Sequence, residues 1–490
     1  MGTTGCKAGV FGLDGACRAQ AYREYDMLHP QPGWSELDSA DVWRKAKAVL
    51  AEVAARAAGD PVTALAISAF GEAFVPVTKG RELLDASILC LDDRGREHAD
   101  RLAAAFTPEK FYAINPNLPG PQFTLPKLLW LREHRLAVFE RADYFLLWSD
   151  CLAFLLGAEP VTNNSHANRT LLFDLERNAW SEPLLAWSGL PRAKLGRVVA
   201  GGARIGTVSD ALAAELGLPR GVQVIAGGHD QCCNALGCGA VAAGQAVYGM
   251  GSFDCITPVF GKPAVPDLMR RAGLNIEHHV VPTLFVAFLF NQSGLLVKWF
   301  RDTFATDTVP PPGLDIYTLL ERELPAEPTR LLVLPHFTPP LFPRHLPDTS
   351  GVIAGLKSET RRGEILKAIR ECTALYFVDS LAGLQSAGIT LTGFIASGGG
   401  ARSDAGLQIR ADVFGLPVVR PRLTEAGVLG AAMLAGLGTG QFSSPAEAAE
   451  VCVRHERVFE PDAARHVIYR EKHAIYRQLF PALQPVLNRL

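Results

Sequence analysis

The sequence predicts an α/β protein of two large domains. Three observations carry this expectation. Strand-like apolar runs alternate with helix-like stretches along the whole chain, several of those runs end in glycines, and 490 residues are too many for one ordinary core. Hydrophobic residues make up 48% and charged residues 20%, the composition of a globular protein rather than a disordered one.

The elements follow in order. "SADVWRKAKAVLAEVAARAAGDP" reads as a helix, with Ser39 as N-cap, an apolar stripe of Val42, Ala46, Val49, Val53 and Ala57, and Gly59 and Pro61 as the stop. "VTALAIS" (Val62–Ser68) reads as a buried strand, continuously apolar as expected when helices cover both faces. "VQVIAGG" (Val222–Gly228) and "GFIASGGG" (Gly393–Gly400) have the same character, and "LFVAFLF" (Leu284–Phe290) is strand-sized. "MGTTGC" at the start is echoed by "MGSFDC" (Met250–Cys255), each ahead of apolar residues suited to a strand, which suggests two related halves meeting at a cleft. The proline-rich "TVPPPGLD" (Thr308–Asp315) reads as a surface loop within the second half.

Composition also excludes classes of function. Net charge is −2 and no long basic run occurs, so neither nucleic acid nor an anionic membrane is expected as a partner. No apolar run approaches the roughly 20 residues needed to span a bilayer, and the start lacks the pattern of a secretion signal. Ten cysteines without framework spacing suit a reducing compartment, and the expected location is cytoplasmic. Cys232, Cys233 and Cys238 cluster, but no second pair lies nearby to complete a zinc site, so they read as small buried hydrophobes. The sequons at Asn163 and Asn168 carry no weight in such a protein.

"VIAGGHDQCCNALGCG" (Val224–Gly239) sets Asp230 at the tip of a buried strand, where a carboxylate is a turn residue, a metal ligand or a catalytic base. Three small-residue turns share one chemical purpose. "GTTGCK" (Gly2–Lys7) offers backbone N–H groups, two hydroxyls and an ammonium to phosphate oxygens. "GMGS" (Gly249–Ser252) is a second such turn. "SGGGARSDAGLQIRADVFG" is a third, a glycine turn followed by a helix from near Ser403 to Gly415. Together the three turns favour a nucleotide between the domains.

Longer stretches then resemble one family. "FTLPKLLWLREH", "NNSHANRTLLFDLERNAWS", "GVIAGLKSETRRGEILKAIRE" and "SGGGARS…ADVFGLPV…EAGVLGAAMLAG" resemble, in order and spacing, segments of the FGGY carbohydrate kinases. Arg370 departs from the second signature, where an apolar residue is usual. The resemblance implies a two-domain actin-like ATPase (ribonuclease H-like) fold with an interdomain cleft. The sugar-binding domain is expected over 1–243 and the nucleotide-binding domain over 244–490. It further implies a phosphotransferase with an alcohol group as acceptor, which uses ATP and Mg2+ to phosphorylate a ketose or polyol. The sequence leaves the oligomeric state open, a homodimer among the candidates.

By the same resemblance Asp230 is the general base and a magnesium ligand, and His229 shapes the elbow. Gly71, Glu72, Gln122, Asp230 and Gln231 would line the sugar pocket. Gly71 stands where relatives carry a side chain, Cys90 where many carry tryptophan and Gln122 where glycerol kinases carry tyrosine, so more room is expected there. Asp92 and Asp93 are either substrate contacts or solvated loop charges. The nucleotide would meet Gly2, Thr3, Thr4, Lys7, Gly251, Ser252, Gly294, Gly399, Gly400 and Ser403, with Lys7 reaching a phosphate rather than a surface acid. The family opens with a strand ending Asp-x-Gly-Thr-Thr, and Met1 stands at the x. Either the reading frame begins further upstream, or the chain is a non-catalytic sugar- or nucleotide-binding relative. A metal-thiolate redox protein is a distant third reading.

Overall fold

The computed structural model describes residues 1–262, 266–337, 349–422 and 425–489. They form two compact units. The first comprises Met1–Val241 with two later segments, Asn275–Val286 and Glu425–Val453; the second comprises Ala242–Leu274, Ala287–Thr424 and Arg454–Leu490.

In the first unit, β1 (Gly5–Phe11) and β2 (Cys17–Glu24) pair as an antiparallel hairpin. Helix α1 (Ser39–Arg56) buries the predicted face through Val42, Ala46, Val49 and Val53. Its N-cap is Asp38 rather than Ser39. The Asp38 carboxylate accepts from the Ala40 and Asp41 amides, a geometry a hydroxyl shared elsewhere cannot supply, because Ser39 Oγ donates to the Asp85 carbonyl at 2.8 Å. Next come β3 (Ala64–Ala69), α2 (Trp148–Leu156), β4 (Arg204–Thr207) and β5 (Gln223–His229), the last leading directly into α3 (Asp230–Gly237). β3 pairs in parallel with β5, and β4 runs antiparallel on the far side of β5. A Cβ on Gly227 would lie 1.8 Å from the Ile67 carbonyl oxygen, so this close strand contact requires glycine.

The helix Ala426–Gly438, from the last segment of this unit, packs on α3 backbone to backbone. A Cβ on Gly237 would meet the Ala426 carbonyl at 1.8 Å, and one on Gly430 the Cys233 carbonyl at 1.9 Å. An aromatic cluster including Phe74, Phe111, Phe123, Trp130, Phe145, Phe173 and Trp180 forms a separate core in the unit.

β3 is less buried than its continuous apolar sequence predicts. Residues Ala64–Ile67 are only partly buried, because one edge of the strand faces a cavity of about 570 Å3 inside the unit. β1 borders the same cavity, and its inner residues are likewise partly buried.

The second unit is built on a mixed sheet. β6 (Gln245–Met250) and β7 (Phe253–Phe260) form a tight hairpin, and β8 (Leu289–Gln292) adds to β7. Helices α4 (Gly294–Phe304) and α5 (Arg362–Ser386) follow. β9 (Gly393–Ser397) then pairs in parallel with β6, and α6 (Asp404–Phe414) leads to β10 (Val418–Pro421) and the antiparallel edge strand β11 (His455–Phe459). The predicted α6 bounds hold: Ser403 caps it, accepting from the Gly406 amide, and Gly415 ends it with φ +66°. The echoed "MGTTGC" and "MGSFDC" stretches both form tight turns into a strand, entering β1 and β7.

Candidate active site

In the first unit, polar side chains converge where β5 passes into α3. Asp230 is the first residue of α3, and its carboxyl group is 35% exposed. A carboxylate in a first helical turn faces the positive end of the helix. Its neighbour His229 is buried. The ring Nε2 lies 3.4 Å from an Asp230 oxygen, and Nδ1 lies 2.5 Å from Glu277 Oε1. Burial alone would lower the His229 pKa; the Glu277 carboxylate, followed by Asp230, outweighs it and holds the imidazole above its ordinary value. The His229 amide donates to Ser165 Oγ, which donates in turn to Asn163 Oδ1, and this ties the elbow to the unit's interior.

Glu72 sits in a left-handed conformation with φ +65°, unusual for a residue with a side chain and a mark of local constraint. Its carboxylate pairs closely with the Arg169 guanidinium, which lies 5.0 Å from the Phe123 ring centroid. Thr124 Oγ1 donates to the Glu72 carbonyl. Arg169 also lies 3.7 Å from Glu277 Oε2. One array of alternating charges therefore runs Glu72–Arg169–Glu277–His229–Asp230. The fully buried Glu277 carboxylate joins its two halves, and Cys232 Sγ donates to it at 3.2 Å.

Several expectations are corrected here. The room anticipated at Gly71 is taken up: a Cβ there would lie 3.3 Å from Arg169 Cγ and from the His229 ring. Asp92 is neither a substrate contact nor a solvated charge, because it forms a buried pair with Arg94, which also bridges to Glu36. Asp93 is on the surface, paired with Arg96. Gln231, the second residue of α3, and Gln122, just ahead of the helix Thr124–His134, are both partly exposed. Burial pushes the Cys90 thiol up to about 12. His229, Cys232 and Glu277 are close enough to suggest a metal cluster, but the carboxylate is already engaged by the imidazole and the guanidinium.

At the turn Gly2–Gly5, the Gly2 amide donates to the Gly5 carbonyl, with Thr3 and Thr4 at the tip. Lys7 is not free: its ammonium lies 2.7 Å from the Glu425 carboxylate, the acid partner that was not expected.

In the second unit the glycine turns gather at the carboxyl ends of β6 and β9. Gly251 and Ser252 form the β6–β7 turn. Gly294 opens α4 against it, where a Cβ would stand 2.1 Å from the Gly251 carbonyl, and the Leu295 amide donates to the Ser252 carbonyl. Gly398 and Gly400 press on Met250, whereas a Cβ on Gly399 would meet nothing within 4 Å. Ser403 Oγ accepts from Arg370 at 2.5 Å as well as capping α6, and Arg370 also pairs with Glu321. That anchoring role accounts for an arginine at this signature position. Structure thus brings Gly251, Ser252, Gly294 and Gly400 into one neighbourhood, a surface of backbone groups at two helix starts suited to phosphate and a flat base.

Sequence reasoning missed Arg169 and Glu277. Arg169 lay inside a stretch read only for its resemblance, and Glu277 reaches the site from a late segment with no motif around it.

Residues 1–237 match the N-terminal domain, and residues 275–439 the C-terminal domain, of the FGGY family of carbohydrate kinases. The chain is 26% identical to a xylulose kinase of Bacillus subtilis, covering 98% of this chain and 95% of that protein. It is 30% identical to a glycerol kinase of Methylibium petroleiphilum, covering 95% and 94%, and 32% identical to an autoinducer-2 kinase of Escherichia coli, covering 71% and 67%. The crystal structure of a xylulose kinase from Rhodospirillum rubrum superposes with a TM-score of 0.89 at 27% identity, covering 99% of this chain and 98% of that one. With both domains matched and the actin-like ATPase fold in place, the chain belongs to the FGGY family of carbohydrate kinases and is an enzyme that phosphorylates a sugar hydroxyl with ATP.

Proposed function

We propose that Asp230 is the general base of this kinase and that its acceptor is a small ketose or polyol. The observation that carries this reading is a partly exposed carboxylate at the start of α3, at the end of the charged array that begins with the Glu72–Arg169 pair. A sugar set against that pair can donate one hydroxyl to Glu72 and accept from Arg169, while a second hydroxyl presents its proton to Asp230. The oxygen then bonds to the γ-phosphorus as the bond to the β,γ-bridging oxygen breaks, and the proton passes to Asp230. Such a transfer requires positioning and charge neutralisation more than covalent help.

The nucleotide is assigned to Gly251, Ser252, Gly294, Gly399, Gly400 and Ser403, supported by their glycine-lined turns, and to Gly2, Thr3, Thr4 and Lys7. For Lys7 to meet a phosphate it would exchange its Glu425 partner, an exposed pair that is cheap to break. Mg2+ fits Asp230, which offers a carboxylate oxygen, a hard donor that reaches solvent. When bound, the ion neutralises charge on the transferring group. The ten free cysteines support a cytoplasmic location. Among the described residues no helix is long and apolar enough to cross a membrane.

The test is coupled ADP release over pentuloses, hexuloses and polyols. One class of acceptor should raise the rate well above the ATPase background. No acceptor-dependent release from any ketose or polyol would overturn the substrate assignment.

A further inference from the structure

Beside the glycine turns of the second unit lies a charge pair that packing alone does not call for. Arg410, in the second half of α6, and Asp254, near the start of β7, are both buried, and a guanidinium nitrogen stands 2.8 Å from the carboxylate. The cost of taking two charges out of water commonly exceeds their attraction, and apolar side chains of similar volume often stabilise a core at least as well. The Arg410 Nε adds to that cost, because it is buried with no hydrogen-bond partner among the described residues. Such a pair is better explained by what it holds in place.

Arg410 holds four places at once. Its Nη1 donates to the Gly406 carbonyl at 3.0 Å, one turn earlier in α6. Its Nη2 donates to Asp254 Oδ2 and lies 3.4 Å from Ser293 Oγ. The guanidinium carbon also sits 5.1 Å from the centroid of the Tyr248 ring, whose hydroxyl donates to the same Asp254 oxygen at 2.8 Å. The four contacts come from α6, from β7, from the residue ahead of α4 and from β6. A planar fork with fixed donor directions sets such elements relative to one another, which a point charge does not.

Three of these contacts stand next to residues of the nucleotide turns. Asp254 follows Ser252 by two positions, Ser293 immediately precedes Gly294, and the Gly406 amide donates to Ser403 Oγ. Ser293 is the N-cap of α4, where a serine hydroxyl normally accepts from an amide of the first turn. This one makes no capping bond. It faces Arg410 instead and donates to Thr373 Oγ1 at 3.5 Å. With the hydroxyl drawn inward, the α4 start is tied to the β6–β7 turn through the Leu295 amide and the Ser252 carbonyl. Arg370 donates to Ser403 Oγ, so the first turn of α6 is gripped by two buried guanidinium groups.

We propose that Arg410 is a positioning residue for ATP, which through Asp254, Ser293 and Gly406 fixes the β6–β7 turn, the α4 start and the α6 start in the arrangement that receives the nucleotide. The inference rests on the nucleotide assignment made above. Arg410 is buried and acts through these neighbours, so its effect falls on ATP rather than on the acceptor.

Steady-state kinetics and melting test this on the whole protein. Arg410→Lys keeps a charge opposite Asp254 and loses the fork. It should raise KM for ATP by about 5–20-fold, with kcat within about twofold and KM for the acceptor unchanged. The triple variant Tyr248→Phe, Asp254→Leu, Arg410→Met removes both charges and the hydroxyl bonded to them. Its melting midpoint should stay within about 3 °C of the unaltered protein or rise, while KM for ATP rises at least about tenfold. An unchanged KM for ATP in Arg410→Lys would overturn the inference, whether or not the triple variant folds. So would a loss of kcat and a rise of both KM values together, the mark of a merely structural pair. Gly294→Ala separates this inference from the assignment beneath it. If Gly294→Ala raises KM for ATP and Arg410→Lys does not, the positioning role fails and the assignment stands; if neither variant changes it, both fail.

Discussion

The charged array proposed to meet the acceptor and the glycine turns proposed to meet the nucleotide are built from opposite materials. The acceptor side, in the first unit, is five charged or ionisable side chains in a row from Glu72 to Asp230, most of them buried. The nucleotide side, in the second, is glycine turns with backbone groups and little side chain. The contrast follows from what each must recognise. Hydroxyls are read by directional donors and acceptors, whereas phosphates and a planar base are read by close approach to the main chain. It also predicts how each side fails, the first to changes of charge and the second to an added methyl group.

The largest effect falls on the base. Asp230→Asn keeps the shape of the side chain and removes the proton acceptor, so sugar-dependent kcat should drop by about 10²–10⁴-fold with ATP affinity retained. Steady-state ADP release together with nucleotide titration measures both. Near wild-type turnover would remove Asp230 from the mechanism.

Next is a pH effect confined to the charged unit. Asp150 is wholly buried on α2, and desolvation pushes its carboxyl up to about 7, with the Asn163 amide and Ser149 hydroxyl opposing. An acid whose folded pKa lies above its unfolded value binds its proton more tightly when folded. Stability is therefore full below about pH 4 and lost as pH rises toward 7. Asp150→Asn should flatten that slope, stabilising the protein at pH 8 by about 2–4 kcal/mol relative to its effect at pH 4. Denaturant melts at the two pH values measure it, and parallel curves for the two proteins would contradict it.

On the glycine side, Gly294→Ala forces a methyl group onto the Gly251 carbonyl 2.1 Å away. The β6–β7 turn must shift, and KM for ATP should rise by about 10–100-fold, the cost of about 1.4–2.7 kcal/mol of misplacement. Gly399→Ala meets nothing within 4 Å and is the matched control, with little change expected. If both variants behave alike, the close approach at Gly294 is not what shapes the turn.

The smallest effect separates positioning from packing. Glu277→Gln keeps the volume but weakens the hold on His229 and Arg169. The kcat should fall by about tenfold with KM for ATP unchanged, and Glu277→Asp should restore only part. A loss of thermal stability with kcat intact would make Glu277 structural.

Much of this was legible in the sequence because local chemistry and tertiary role coincide. The α6 bounds needed only Ser403 and Gly415. The strand entering Asp230 needed only its apolar run and the glycines that let β5 lie against β3. Ser39 was misread because Asp38 supplies the better-placed oxygen, and nothing local reveals that Ser39 is held by Asp85. The Lys7 pair with Glu425 could not be foreseen, because the two lie more than 400 residues apart in sequence. Gly71 looked like an opening because the side chains that close it come from Arg169 and His229. Local patterns declare glycines, caps and strands; they are silent on which distant charge arrives opposite.

The glycine contacts between α3 and the helix Ala426–Gly438 have a consequence for how the protein is made. Residues through Val241 leave the ribosome long before Glu425–Val453, with a delay of roughly 10–40 s for the synthesis of about 180 intervening residues. Throughout that interval the bare backbone faces of Gly237 and Cys233 have no helix to receive them. The nascent first unit must wait, incomplete and with an apolar helix face exposed, until nearly the whole polypeptide has been translated. This makes it a natural client for chaperones that hold rather than fold.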